Sequence, residues 1–222
     1  MKKLFASLML GLSLAGPALA QPSVTPNSLD ATGCMKLREC TDNVVKIETY
    51  DDIVNHYPFY DRNHEQEITA LLAALNASGV EVFIADYSYF PIDTRGFYYT
   101  DVNKMFLNDI YMANKKTLLE VMRHEGWHAA QDCMAGDINN TYIAVIHNDN
   151  LIPKEHKVMA DLRYGQNMPK AIPWEQEAIW SASVPNMTAD ALNACASGQM
   201  WNEYEPTPMT REWLVKNNYI QL

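Results

Sequence analysis

The sequence predicts an α+β domain with a small twisted sheet and a mainly helical C-terminal half. Three observations predict it. Short β-branched and aromatic segments cluster in the first half, at 80–87, 96–100 and 104–108. A long helical stretch follows at 115–135, with Gly136 placed to end it. Beyond 154 the Pro and Thr residues fall where helices start. The order helix, short strands, then mainly helices fits an α+β domain rather than alternating βα units.

Each element has its own signal. Asn63 with Gln66 reads as a capping box, opening a helix that runs to about Ser78. Ile68, Leu71, Leu72 and Leu75 share one face of that helix, and Gly79 ends it. In the stretch 115–135, Leu118, Leu119, Val121 and Met122 supply a face for packing. Thr141 to His147 reads as either strand or helix. Helices are expected at 154–164, at 174–182 behind Pro173, at 188–196 capped by Thr188, and from a cap at Thr210. Residues 21–60 read as an N-terminal extension and 61–222 as the folded domain.

Composition narrows the class. Lys2 and Lys3, an apolar run from Leu4 to Leu14, and Ala18-Leu19-Ala20 arrive in the order of a secretory leader cleaved after Ala20. A periplasmic or secreted protein is therefore expected. The formal charge is −10, and losing residues 1–20 removes two lysines and no acid, giving −12. With no Lys/Arg cluster, nucleic acid and anionic membrane are poor partners. The oligomeric state has no signature in the sequence. Four cysteines in an exported chain favour two disulfides. Of three connectivities, Cys34–Cys40 with Cys133–Cys195 is the favoured one. No C-x-x-C pair points to a cysteine metal site.

The chemistry concentrates at His124-Glu125-Gly126-Trp127-His128. Four residues rotate through about 400° of helix, so both imidazoles leave one face, one turn apart. That suits two ligands of one Zn²⁺. Glu125 lies about 100° further round, where it can act as general base on a water at the metal's open side. Gly126 is costly in a helix by about 1 kcal/mol relative to Ala, and it permits close approach of a neighbour.

A catalytic zinc site needs a third protein ligand. The extended motif with a Gly and a third His is excluded, because those positions are Gln131 and Met134. A Glu on a later helix is the next option, and Trp174-Glu175-Gln176-Glu177-Ala178 offers two. They differ by about 200° round a helix, so only one can face the metal. The spacing leaves the choice between them open, with Asp161, His156 and His147 as further candidates in falling order.

These residues resemble the gluzincins, zinc peptidases with two His from the short motif and a downstream Glu. Glu175-Gln176-Glu177-Ala178 matches the E-x-x-A signature of several short bacterial members. The resemblance implies a zincin-like domain, Zn²⁺ as cofactor, His124, His128 and Glu175 as ligands, Glu125 as the catalytic base, and a peptide or protein substrate. It also implies that Lys104–Asn108 is the edge strand on which an extended peptide is laid. One position departs from the pattern. Many gluzincins carry Asp or Asn four residues after the ligand Glu to orient an imidazole, and here that residue is Ile179. Asp132 and Asp161 are the alternatives for that role. Tyr142, His147 and Tyr164 are candidates to donate to an oxyanion. A non-catalytic, gluzincin-like binding protein and a hydrolase of other amides are the competing readings.

Overall fold

Phe83, Phe97 and Phe106 occupy one row across three strands and set the architecture. The computed structural model describes residues 29–39 and 41–221. The leader read at 1–20, and Cys40 with its expected pairing, lie outside these residues. The chain forms α1 (Leu29–Lys36), β1 (Val44–Ile47), α2 (Tyr50–His56), α3 (Glu65–Ala77) and β2 (Glu81–Ala85). Next come β3 (Gly96–Tyr99), β4 (Lys104–Asn108), α4 (Asp109–Met112) and α5 (Lys115–Met134). The second half supplies α6 (Lys154–Tyr164), α7 (Ile172–Ser183), α8 (Met187–Ala196), α9 (Met200–Glu203) and α10 (Pro208–Lys216). This is an α+β arrangement with a four-stranded mixed sheet and a mainly helical C-terminal half.

The sheet order is β1-β2-β4-β3. β2 and β4 are parallel, and the two outer pairs are antiparallel. β4 is therefore internal. The expectation of an edge strand at Lys104–Asn108 is overturned, because both of its sides are hydrogen-bonded, and the edge is β3. Alternation sends Ile47, Val82, Ile84, Met105 and Leu107 into the main core. Phe83, Ala85 and Phe106 face the other way, into a smaller aromatic cluster with Met35, Tyr89 and Phe90. β1, with Tyr50 and Ile53 of α2, belongs to the sheet and the main core. The folded body thus starts well before residue 61, inside the stretch read as an extension.

Helix starts follow the chemistry of individual caps. Thr49 caps α2 through a capping box with Asp52. α3 starts differently from expectation. His64, with φ +69°, precedes it without a side-chain cap, and Asn63 instead donates its backbone N–H to Asp61. The buried face is as read: Ile68, Leu71, Leu72 and Leu75 are each at most 1 % exposed. Each such side chain contributes about 1.5–3 kcal/mol of burial. Thr188 does not cap α8, because its hydroxyl donates to the Arg123 carbonyl at 2.9 Å. Asn186 takes the N-cap position. α10 is capped by Thr207, which accepts from Thr210 N–H, with Pro208 in its first turn.

α5 is the central beam. It packs on β3 and β4 on one side and on α3, α7 and α8 elsewhere. Gly126 lets α8 come close: a Cβ placed there would lie 2.9 Å from Thr188 Cγ2. Gly136, at φ +123°, follows the helix in the left-handed conformation expected of it. Cys133 and Cys195 form a disulfide that ties the end of α5 to α8 across 62 positions. In the chain-entropy model a loop of that length contributes about 4 kcal/mol. The bridge is compatible with an oxidising compartment. Among the described residues, no helix is long and apolar enough to cross a membrane.

Candidate metal centre

His124 and His128 leave α5 one turn apart, as their spacing requires, with ring centroids 5.0 Å apart. α7 crosses α5 and brings Glu175 to them. His124 Nε2 lies 3.3 Å from Glu175 Oε2, and His128 Nε2 lies 3.7 Å from Glu175 Oε1. One ligand atom from each residue fits within a 4.8 Å group, the one such group of three or more among the described residues. Each of the three side chains keeps 13–16 % of its surface exposed, so the cluster opens to solvent.

The donor set suits a zinc ion. Two donors at about 2 Å from a shared tetrahedral centre are separated by about 3.3 Å. Glu175 Oε2 is buried and makes no aligned hydrogen bond, its nearest donor being His124 Nε2 at 3.3 Å, so it retains a lone pair toward the imidazoles. Burial pushes the Glu175 carboxyl up, but His124, His128 and Tyr164 together outweigh it and hold the group at about 2. It is ionised, as a metal ligand must be.

Glu125 faces a different neighbour. The residue is only 8 % exposed, and its carboxylate lies beside the backbone N–H of Tyr98. β3 can press this close because residue 96 is Gly; a Cβ there would lie 3.1 Å from Glu125 Cγ and 2.8 Å from Val121 Cγ1. Burial pushes the Glu125 carboxyl up to about 7; the nearby His128 opposes the rise, Glu175 adds to it, and the Tyr98 N–H opposes it. A carboxyl whose proton affinity lies near neutrality can both take and return a proton.

Glu177 points away from the triad and is closed in by donors. Its carboxylate accepts from Gln131 Nε2 (2.7 Å), Ile146 N (3.0 Å), Trp127 Nε1 (3.4 Å) and the backbone N–H of His147. These bonds pin the segment 144–147, which is neither strand nor helix, contrary to both readings of 141–147. Ala144 adds a backbone bond to the Gln131 carbonyl. His147 sits among Trp127, Trp180 and Tyr204. Neither Glu177 nor His147 joins the triad, and nor do Asp161 and His156.

The group that meets the imidazole is one that sequence reasoning missed. Gln131 Oε1 lies 2.8 Å from His128 Nδ1. Asp132 turns to the sheet instead, accepting from the Tyr98 hydroxyl at 2.9 Å. The available signal was spacing: i+3 on a helix neighbours i as closely as i+4 does. Of the three oxyanion candidates, Tyr164 is beside the site, acting on Glu175, whereas Tyr142 packs on Trp213 and His147 is held among aromatic rings. No family model matches the chain, and no curated protein or solved structure matches it either.

Proposed function

We propose that the protein is an exported zinc-dependent hydrolase, a peptidase of the gluzincin type, with one Zn²⁺ held by His124, His128 and Glu175. The observation that carries this reading is the convergence of those three donors from two helices, with Glu125 buried beside them. A bound zinc ion supplies Lewis-acid polarisation of a carbonyl and lowers the pKa of water. The chain supplies the rest. Glu125, with its proton affinity near neutral, takes a proton from the attacking water and passes it to the leaving amine. Tyr164 keeps its hydroxyl proton, because burial and the charge of Glu175 both raise its pKa. That one proton is engaged with the Glu175 carboxylate, so Tyr164 steadies the proposed ligand and reaches a carbonyl oxygen only by releasing it. The acidic chain supports a peptide or protein substrate over nucleic acid or an anionic membrane.

Reconstitution with zinc is expected to give one ion per chain, measured by elemental analysis. Glu125→Gln is expected to keep that zinc and to lose about 10²–10⁴-fold in turnover of a peptide library. A protein that holds no zinc after reconstitution would overturn the reading. One observation favours a second reading, a zinc-holding binding protein that does not cleave: the Glu125 carboxylate is buried against β3, beside the Tyr98 N–H. Stoichiometric zinc without turnover on any peptide would select it.

A further inference from the structure

We infer that Gln131 is a positioning residue that fixes the tautomer of His128, presenting Nε2 as the metal donor, and that Glu177 acts through Gln131 to hold it there. The inference rests on the metal-site reading above but not on catalysis.

A glutamine amide has one end that only donates and one that only accepts. Gln131 is fully buried, so neither end can turn to solvent. Its Nε2 meets the Trp174 carbonyl, which can only accept, at 3.0 Å, and a Glu177 oxygen at 2.7 Å, in a carboxylate whose two oxygens already accept from the backbone N–H groups of 146 and 147. A flipped amide would set its oxygen against the Trp174 carbonyl. The orientation is therefore determined by its partners. Oε1 must face His128 Nδ1, at 2.8 Å, and that nitrogen must carry the proton. In a neutral imidazole the other nitrogen is then bare. That nitrogen is Nε2, the atom turned toward Glu175.

Glu177 makes the arrangement rigid. Its other donors come from Trp127 on α5 and from the backbone of 146–147. A carboxylate fixed from these sides holds the Gln131 amide in one place. Free histidine has no such constraint, so part of its neutral population carries the proton on Nε2 and must rearrange before it can ligate. An orienting partner of this kind is normally a carboxylate or carbonyl, and here the amide performs the role left open by Ile179.

Two measurements test it. The first uses the metal-free protein at a pH where the ring is neutral. Long-range ¹H–¹⁵N spectra of the imidazoles are expected to show His128 as the Nδ1–H tautomer in the parent. In Gln131→Met, which keeps the volume and removes both ends of the amide, a mixture or the Nε2–H form is expected. The second is zinc affinity by chelator competition, expected to fall about 10–100-fold in Gln131→Met. Nε2–H in the parent would overturn the inference, and so would a folded variant with unchanged tautomer and unchanged affinity. If Gln131→Met does not fold, the tautomer of the parent still decides. Failure of the enzyme reading appears separately, as zinc bound with the expected tautomer but no turnover.

Discussion

Glu175 and Glu177 lie two residues apart on one helix and have opposite surroundings. Glu175 sits at the open side of α5, with an oxygen that makes no aligned hydrogen bond and two imidazoles across from it. Glu177 is wholly buried, with four N–H groups directed at it. Both are carboxylates in low-dielectric surroundings, yet one is left incomplete and the other is saturated. An incomplete buried acceptor costs free energy unless something fills it, whereas a saturated one contributes to holding the fold. The difference separates a candidate metal ligand from a structural anchor on the same two turns of helix.

Three substitutions break or sharpen that contrast. The largest effect is expected for Glu175→Ala. Zinc affinity should fall by more than the roughly 10–100-fold that an orienting partner is worth, while the metal-free protein unfolds at nearly the parental urea midpoint. Affinity retained in this variant would show that the ion sits elsewhere. Glu177→Leu should do the reverse in stability. It leaves the N–H groups of Gln131, Trp127, Ile146 and His147 without their acceptor, and should lose about 3–5 kcal/mol in urea unfolding. A loss below that of Glu175→Ala would reverse the assignment.

The smallest effect concerns the other buried acid of α5. Burial raises Asp132 to about 8, the Tyr98 hydroxyl opposing the rise and Asp137 adding to it. The native state then binds this proton more tightly than the unfolded chain. Its contribution to stability is greatest at low pH and declines as pH rises from the unfolded carboxylate range to about 8. Asp132→Asn removes that slope. The melting temperature of the variant relative to the parent should rise between pH 5 and pH 9, by on the order of a few °C. Parallel curves would show that Asp132 is ionised throughout.

Much of the site was legible because helix geometry is local. The His124–His128 spacing and the 200° between Glu175 and Glu177 depend only on residues per turn, and both are realised. The features that escaped depend on long-range pairing or on competition. Nothing in Lys104–Asn108 reveals that β2 pairs with its far side, since strand order is set by segments 20 residues or more apart in sequence. Thr188 looked like a cap and became an anchor because Arg123 offered its hydroxyl a carbonyl. His64 and Asn186 start helices from positive φ, which no capping pattern announces. Segment 144–147 has β-like composition, but its backbone donors are taken up by Glu177 and by the Gln131 carbonyl rather than by a neighbouring strand.

The contact between β3 and α5 has a consequence for how the protein behaves in concentrated solution. In the β3–β4 ladder, the Asn108 N–H bonds to the Arg95 carbonyl. Alternation then turns the backbone groups of Gly96 and Tyr98 outward, away from β4. An outward N–H on an outer strand is a template for a second molecule to add to. At Tyr98 the Glu125 carboxylate lies beside that position, so α5 covers the sheet where a fifth strand would otherwise begin. The opposite border is guarded differently, by a four-residue strand carrying Lys46. Glu125→Gln leaves an oxygen for the Tyr98 N–H, whereas Glu125→Ala exposes it to self-association. Of the two, Glu125→Gln is the variant that tests the proposed proton transfer without also altering the sheet border.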